Sequence, residues 1–332
     1  MSTRSWIIIG GAGFIGSHFT DRLLSDPDTA RVTLYDNFSS GQAWHYAHHA
    51  GDSRLRVVRG DVSDLAELTL AMVYHDCVIH LASNPDIARA ATEPSIDFVQ
   101  GTALTQNVLE AMRAASVNRI LYASGSGVYG DLGKTEAHED FGPLLPVSTY
   151  GASKLAGEAL ICSYAHMFGI QGCAFRFGNV VGARQTHGVG MDFLQQMLKD
   201  GRRLRILGDG RQSKSYIHVS DVVEAVMLAH RVTTKPYDVF NVATGDYITV
   251  QEIAAIVAEC TGNTDVEFEY TGGDRGWKGD VPVVRLNTDR IRSLGWRCKR
   301  TSADAMRAAV MRMRDQYLAG REPLAAGAVS AA

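Results

Sequence analysis

The chain has 332 residues, enough for two ordinary domains or for one large α/β domain with an appendage. Its formal net charge is −3, with 45% hydrophobic and 21% charged residues, so it does not indicate the concentrated basic face that sequence-independent nucleic-acid binding requires. No run of 18 apolar residues occurs and the five scattered cysteines form no CxxC pair, so we expect a cytoplasmic protein with reduced thiols and no membrane segment.

Short apolar runs alternate with helical patterns through the first half of the chain. Residues 14–24, 95–115 and 149–168 carry apolar side chains at helical spacing. Six runs between and beside them are predicted to be buried strands: SWIIIG, RVTLYD, LRVVRGD, CVIHLAS, NRILYAS and GCAFRFGN. Alternating strands and helices predict a doubly wound parallel sheet, the Rossmann arrangement, with helices on both faces.

The rhythm changes after about residue 180. Four helical segments are predicted at 189–199, 219–230, 250–260 and 303–317, and they alternate with isolated strands such as LRIL and YDVFNVAT. We interpret residues 1–180 as a dinucleotide-binding domain and 181–320 as a smaller α/β substrate domain, interleaved with the first because no linker separates them. The tail, residues 321–332, is expected to be disordered.

A glycine turn follows the first predicted strand and opens the first helix. Gly10, Gly13 and Gly16 would allow the backbone to approach a pyrophosphate, which the helix N-terminus attracts. Asp36 ends the second strand, where its carboxylate can accept hydrogen bonds from both ribose hydroxyls and repel a 2′-phosphate, so NAD is favoured over NADP. Alternatively, Asp36 only caps the next turn. The cofactor-binding candidates are Gly10, Gly13, Phe14, Ile15, Gly16, Asp36, Asn37, Asp61, Val62, Leu81, Ala82 and Ser83.

Tyr150 and Lys154 lie one turn apart on a predicted helix and so share one face. A free tyrosine is a poor base at neutral pH, but a neighbouring ammonium and a positive nicotinamide ring could lower its pKa by about 2–3 units. The phenolate could then accept the proton of a substrate hydroxyl while the carbon below it loses hydride to NAD. The YxxxK pattern also occurs by chance on amphipathic helices. It indicates a catalytic pair here because it follows the glycine turn and Asp36 in the same chain.

Together, GGAGFIG, Asp36, HLAS, VYG, YGASK and RFGNVVG resemble the extended short-chain dehydrogenase/reductase family, specifically nucleotide-sugar epimerases and dehydratases of the UDP-glucose 4-epimerase type. The resemblance continues through ILGDGRQSKSYIHVSDVVEA and RGWKGDVP to LGW. It implies that Tyr150 is the base and that Lys154 is its partner and a ribose ligand. The substrate contacts that it implies are Asn179, Arg184, Lys214 and Arg275, with Gln185 as a further candidate. Lys214 could equally be a solvated surface lysine.

The SGSGVYG stretch departs from the family pattern. The epimerases place an assisting Ser or Thr four residues before the tyrosine of VYG, and here that residue is Gly125. Its neighbours Ser124 and Ser126 are the catalytic candidates, with Ser126 preferred, although both hydroxyls could instead bond only the loop backbone. The Asp-Glu pair typical of the dehydratases, the glutamate typical of the decarboxylases and the cysteine of the 3,5-inverting enzymes are all missing from this stretch.

The sequence therefore predicts an NAD-dependent nucleotide-sugar 4-epimerase. The alternatives are a nucleotide-sugar 4-dehydrogenase, or with less support a 4,6-dehydratase, and a non-catalytic NAD-sensing protein. No metal is expected, because His45, His48 and His49 have no carboxylate or cysteine beside them in sequence and suit a polar lid near the cofactor. His187 and His218 are candidates for substrate specificity. Apolar faces at 103–112 and 155–164 predict the two-fold helical dimer interface of the family, although a buried helix face would look the same.

Overall fold

The computed structural model describes residues 4–84, 87–263, 265–277 and 279–320, and at 87 and 88 it describes the backbone alone. The tail expected to be disordered, 321–332, lies outside the described residues. Among those residues, no helix combines the length and the apolar character needed to cross a bilayer.

The first half of the chain alternates strands and helices as its sequence predicts. Its elements are β1 (Ser5–Ile9), α1 (Phe14–Leu24), β2 (Arg31–Asp36), β3 (Leu55–Arg59), α2 (Leu65–Met72), β4 (Cys77–His80), α3 (Leu104–Ala115), β5 (Arg119–Gly125), α4 (Thr149–Phe168) and β6 (Gln171–Phe177). Short 3₁₀ turns span Ala43–His45, Ala47–His49, Ile87–Ala91 and Ser126–Tyr129. The helix predicted at 95–115 is a π-helix over Phe98–Ala103 that continues into α3.

The second half carries shorter strands and five helices among the described residues. They are β7 (Asn179–Val181), α5 (Val189–Lys199), β8 (Arg203–Ile206), β9 (Ser213–Lys214), β10 (Tyr216–His218), α6 (Val219–Val232), β11 (Tyr237–Val242), β12 (Ile248–Thr249), α7 (Val250–Cys260), β13 (Glu267–Tyr270), α8 (Asp289–Ser293) and α9 (Ser302–Leu318). β7 pairs with β10 and β8 with β13 in parallel, whereas β9 and β12 are antiparallel. Here α5, α7 and α9 enclose a core of their own around β8.

One parallel sheet of seven strands organises the molecule, in the order β11-β6-β5-β4-β1-β2-β3. Alternate side chains of β1 enter different cores: Trp6 and Ile8 pack with α1 and α6, whereas Ile7 and Ile9 pack with α2, α3 and α4. This two-residue alternation is what covers both faces of a parallel sheet. The predicted fold class is confirmed.

The strand within YDVFNVAT is not isolated, which corrects the sequence-based prediction. As β11 it pairs in parallel with β6 over six residues, from Tyr237 opposite Gly172 to Val242 opposite Phe177. Its apolar side chains Phe240 and Val242 belong to the same core as Phe175. The second half of the chain thus supplies an edge strand to the main sheet, and the domain boundary near residue 180 stays a prediction.

A buried ion pair joins α4 to the sheet. Arg176 of β6 donates to both carboxylate oxygens of Glu158, with Nη2 2.7 Å from Oε2 and Nε 3.0 Å from Oε1. Ser124 at the end of β5 donates to Oε1 at 2.5 Å. Nη1 of Arg176 donates to the Tyr129 hydroxyl at 2.9 Å, and that hydroxyl donates to Asn241 of β11 at 2.8 Å. One network therefore fixes α4, three strands and the 126–129 turn.

We expect Glu158→Gln to lower the free energy of unfolding by about 3–5 kcal/mol, because it leaves the Arg176 charge buried without its partner. The matched control is the double variant Glu158→Leu/Arg176→Met, which removes both charges and should be less destabilised than Glu158→Gln. Urea unfolding followed by circular dichroism measures both. A double variant at least as destabilised as Glu158→Gln would contradict the expected cost of leaving the Arg176 charge unpaired.

Acid should destabilise the fold, because burial lowers the pKa of six histidines: that of His75 moves in this direction, and those of five others fall to about 3 or 4. The pKa falls to about 4 for His18, His45 and His218 and to about 3 for His80 and His230. In the unfolded chain they take up protons near pH 6.5, whereas in the folded chain they stay neutral until pH 3–4. The contribution of these histidines to stability is therefore complete above about pH 6.5 and is lost as the pH falls below it.

At pH 5.5 the three most buried of these, His45, His80 and His230, should each cost about 1.4 kcal/mol, since one pKa unit corresponds to that free energy. Urea unfolding at pH 7.5 and pH 5.5 measures the loss. His230→Phe, which keeps a ring against Trp6 where the centroids are 4.8 Å apart, should recover about one such increment. The exposed His166→Phe should recover none. Equal stability at the two pH values would refute this account.

Candidate active site

The glycine turn lies where the carboxyl ends of β1 and β4 meet. Gly10 has a φ of +80°, and a Cβ there would lie 2.9 Å from the backbone nitrogen of Ala82. A Cβ on Gly16 would lie 2.6 Å from the Gly10 carbonyl oxygen. α1 begins at Phe14 after Gly13, with no side chain capping its N–H groups. The result is an uncapped helix N-terminus at the point where strand order reverses, which suits a dinucleotide pyrophosphate.

Asp36 closes the other side of this cradle. Its Oδ2 accepts from the backbone N–H of Ala12 at 2.9 Å and its Oδ1 from that of Phe38 at 2.8 Å, and burial raises its pKa. The carboxylate is thus oriented at the end of β2, where the predicted ribose contact requires it. The capping role considered from sequence is also real, because the Phe38 N–H is a local turn contact.

The remaining cofactor candidates surround the cradle in different ways. Asn37 Nδ2 donates to Asp61 Oδ2 at 2.9 Å, so these two polar side chains adjoin at the ends of β2 and β3. Leu81 and Ala82 follow β4 directly, and both backbone N–H groups bond the Ile9 carbonyl. The Val62 side chain instead packs into the core, so any contact with a ligand would be through its backbone.

Tyr150 and Lys154 share one face of α4, as their spacing predicts. Lys154 is 3% exposed, and its Nζ donates to the Ala123 carbonyl at 2.8 Å and lies 5.4 Å from the centroid of the Tyr150 ring. Burial lowers the pKa of Lys154 to about 8, against the opposing charge of Asp97. The buried lysine therefore titrates within the range in which enzymes work.

The pKa of Tyr150 shows that the Tyr150–Lys154 pair does not by itself ionise the phenol. Burial raises it to about 12, a hydrogen bond with Ser83 lowers it, and the charge of Asp97 raises it. The protein without cofactor therefore holds Tyr150 as a neutral phenol. A positive ring beside the phenol, as nicotinamide would be, is the group that favours the phenolate.

Glycines seat the 126–129 turn directly on α4. Ser148 caps the helix by accepting from the Gly151 N–H at 3.0 Å, and a Cβ on Gly151 would collide with the Gly127 carbonyl. Since Tyr150 precedes Gly151, this contact fixes the turn relative to the phenol. Around Gly125 itself, a Cβ would meet no atom within 4 Å.

The two candidate serines of this turn differ in their surroundings. Ser124 is 4% exposed and donates its hydroxyl proton to Glu158, so its contacts correct the expectation that it could serve a substrate. Ser126 begins the turn and is half-buried, and its hydroxyl has no hydrogen-bond partner within the described residues. Ser126 stays the candidate for an assisting hydroxyl.

Lys214 and Arg275 come together around Asp280. Lys214 Nζ lies 2.6 Å from Asp280 Oδ1, and Arg275 donates to the backbone carbonyl of Asp280 and to Asp131 Oδ2, the latter at 2.8 Å. Asn179 of β7 is paired in register with Tyr216 of β10, which lies two residues after Lys214. Three of the four predicted substrate contacts therefore lie in or beside this part of the fold.

Arg184 lies elsewhere, which corrects its assignment to the substrate. Its φ is +67°, and its guanidinium pairs with Asp21 of α1 and donates to the His45 carbonyl and to His18 Nδ1, each at 2.9 Å. With those partners and 8% exposure, it braces α1, and both of its terminal nitrogens are already hydrogen-bonded within the protein. Its neighbour Gln185 donates to the His187 carbonyl at 2.8 Å.

Two of the histidines considered as metal ligands lie beside the carboxylate of Asp21, which is distant from them in sequence. His48 and His49 each bring Nε2 to 2.8 Å from Asp21 Oδ1. Within the part of the chain that the structure describes, these three residues are the one group with metal-ligand spacing. Burial alone would raise the pKa of Asp21, but Arg184 and the two histidines lower it to about 2. Arg184 occupies the second oxygen, so hydrogen bonding to a paired carboxylate accounts for the cluster.

His218 also has a structural partner. Its Nδ1 lies 2.8 Å from Ser220 Oγ and accepts from the Ser220 N–H, which makes it the N-cap of α6. Sequence reasoning missed four acids around the site, namely Asp97, Asp131, Glu158 and Asp280. Each has a side-chain partner between 18 and 144 residues away in sequence (Thr149, Arg275, Arg176 and Lys214, respectively), so no local pattern marks these contacts.

The sequence and the fold both match known proteins. The model of the NAD dependent epimerase/dehydratase family matches residues 6–243. The UDP-glucose 4-epimerase of Mycolicibacterium smegmatis is 32% identical over 297 residues, covering 87% of this chain and 92% of that protein. The dTDP-glucose 4,6-dehydratase of an Actinoplanes species is 30% identical over 288 residues, covering 84% and 89%.

Among solved structures, a UDP-galactose 4-epimerase superposes with a TM-score of 0.82 at 34% identity, covering 93% of this chain and 98% of that one. At this coverage the match takes in both halves of the chain. The glycine cradle, the uncapped α1 and the oriented Asp36 carboxylate fit the NAD that this family uses. The chain belongs to the NAD-dependent epimerase/dehydratase family.

Proposed function

We propose that the protein is an NAD-dependent nucleotide-sugar 4-epimerase. The observation that carries this is the position of Tyr150 and Lys154 on α4, against a turn that offers a hydroxyl at Ser126 and no acid. Such a site can move one proton on and off a sugar oxygen. Net oxidation and re-reduction at one carbon require no further acid or base.

In this reaction the cofactor and three side chains have separate roles. Bound NAD supplies the acceptor and donor of hydride at C4 of the sugar. Tyr150 takes the proton of the 4-hydroxyl and later returns it, and the Lys154 ammonium stabilises the phenolate between these steps. Ser126 donates a hydrogen bond to the 4-oxygen. Between the steps, the keto-sugar turns its other face to the cofactor.

Turning the sugar requires that the rest of the substrate stay anchored. Lys214 and Arg275 supply two cations that we assign to the diphosphate, with Asn179 beside them. Their present partners, Asp280 and Asp131, neutralise them when no substrate is bound, so a diphosphate would bind by adding to or replacing these ion pairs.

A 4,6-dehydratase would need an acid close to the sugar to expel the 6-hydroxyl. Residues 125–127 supply none, and the nearby Glu158 is fully engaged by Arg176 and Ser124. A 4-dehydrogenase has the same residues as an epimerase and differs only in releasing the keto-sugar. An NAD sensor would have no use for a base on the cofactor face.

The first experiment is an NMR assay of the purified protein with UDP-, GDP-, CDP- and dTDP-sugars while NADH absorbance is followed. We expect a second sugar at equilibrium without NADH build-up, which also identifies the substrate. NADH rising in proportion to a keto-sugar would make the protein a dehydrogenase. A 6-deoxy keto-sugar would make it a dehydratase.

Tyr150→Phe should lower turnover by about 10²–10⁴-fold, because it removes the group that transfers the proton, while NAD still binds. Tyr74→Phe is the matched control, since Tyr74 is 84% exposed and should leave turnover unchanged. Fluorescence titration with NAD and the NMR assay measure the two properties. An unaltered rate in Tyr150→Phe would exclude the assigned base.

We also infer a cytoplasmic homodimer. All five cysteines are free, which suits a reducing compartment. Phe98 and Val99 at the start of the α3 segment and Met167 at the end of α4 are 53–71% exposed, although they are apolar and flank the predicted dimer helices.

Sedimentation velocity should show a dimer that Met167→Glu weakens, because the variant would bury a charge in the interface. Leu318→Glu is the control: Leu318 is 70% exposed at the end of α9, far along the chain from the dimer helices, and should have no effect. A wild-type monomer would refute the dimer.

A further inference from the structure

Asp97 is a buried acid to which the proposed mechanism gives no role. It is 1% exposed and immediately precedes the π-helix over Phe98–Ala103. Its Oδ2 accepts from the Thr149 hydroxyl at 2.6 Å, and its Oδ1 accepts from Asn84 Nδ2 at 2.8 Å. Both oxygens act as acceptors, as those of an ionised carboxylate do.

These contacts place the carboxylate against the first turn of α4. Thr149 is the first residue of that helix and directly precedes Tyr150. The π-helix after Asp97 packs against the same turn, where a Cβ on Gly101 would lie 2.7 Å from Ser153 Oγ. π-helical turns are rare and are frequently found at functional sites. The acid is thus part of the surface on which the Tyr150–Lys154 pair rests.

The other ionisable groups around the pair are neutral or already paired. His80 of β4 is fully buried, and burial lowers its pKa to about 3. Tyr122 of β5 lies with its ring centroid 5.2 Å from Lys154 Nζ, and burial raises its pKa far above neutrality. Glu158, one turn further along α4, is bound to Arg176.

Asp97 is therefore the charged group in the described part of the chain that acts on both members of the pair. Its charge raises the pKa of Lys154 against the effect of burial, and it raises that of Tyr150 as well. A buried lysine without such a counter-charge would lose its proton more readily. The acid thus keeps Lys154 charged while making the phenolate harder to form.

We propose that Asp97 is a positioning residue of the Tyr150–Lys154 pair, whose carboxylate fixes the first turn of α4 through Thr149 and places a buried negative charge next to that turn. This inference rests on the proposed role of that pair as base and partner. It assigns two tasks to one carboxylate: a structural one through the hydrogen bond with Thr149, and an electrostatic one through its charge.

The test compares Asp97→Asn with the wild type, both loaded with NAD. Ionisation of Tyr150 is followed as the ultraviolet phenolate difference between each protein and its Tyr150→Phe counterpart, which removes the signal of the other tyrosines. We expect the midpoint for Tyr150 to move to lower pH by about one unit, because a nearby negative charge is lost. The alkaline limb of the kcat profile should move the same way, because Lys154 then loses its proton earlier.

Glu93→Gln is the matched control. It removes the same charge from the segment just before Asp97, but Glu93 is exposed and pairs only on the surface with Arg89. Glu93→Gln should leave unchanged both the titration midpoint of Tyr150 and the alkaline limb of the kcat profile. Asp97→Glu, which keeps the charge, should retain the wild-type midpoint. If Asp97→Asn does not fold, Asp97→Ser removes the same charge with a smaller side chain.

An unchanged Tyr150 midpoint in the neutral variants, with only lower kcat or lower thermal stability, would overturn the proposal and leave Asp97 a structural residue. The phenolate titration requires no turnover, so it separates this inference from the proposed function. A shifted midpoint in a protein that epimerises no sugar would sustain the role of Asp97 and refute the epimerase.

Discussion

The positive charge of Arg176 is buried between the central sheet and α4, and much of the site depends on how that charge is neutralised. A lone guanidinium could not remain there, since desolvation of a single ion costs several kcal/mol. Glu158 provides the counter-charge, and the remaining donors reach Tyr129 and the Glu139 carbonyl. The turn and the helix that carry Ser126 and Tyr150 are therefore held together by a buried ion pair.

A second group of charges behaves in the opposite way. Lys214, Arg275 and Asp131 are partly accessible, although Asp280 is buried, so water reaches one side of each ion pair and weakens the pairing. The fully buried pair beneath Tyr150 and the partly exposed pairs at Lys214 and Arg275 therefore differ in how easily water or a ligand can replace a partner. That difference suits a reaction in which the sugar turns while the catalytic groups stay fixed.

Most strands and helices of the first half could be predicted from sequence, because each shows a characteristic spacing of apolar residues over a few neighbouring positions. β1 to β6 were evident as short apolar runs, and α1 and α4 as helical spacing. Ser124 could also have been placed: it lies two residues after Tyr122 in β5, so the two side chains point to the same face, towards α4. By contrast, the partner of β11 and the acid facing Arg184 depend on contacts more than fifty residues apart. Arg184 has a positive φ where its side chain turns towards α1. Sequence could not predict this, because glycine is the residue that usually marks a positive φ and the residue here is an arginine.

The position of β11 has a consequence for the order in which the chain can assemble during synthesis. The part of the chain from β1 to β6 emerges from the ribosome before β11. It includes the whole glycine cradle and Asp36. The edge of β6 stays uncovered until some sixty further residues have followed, because its neighbour begins only at Tyr237. Asn241, which receives the Tyr129 hydroxyl, arrives at the same late stage. A nascent chain can therefore complete its cofactor half first, and the turn beside Tyr150 gains its last support only when β11 docks.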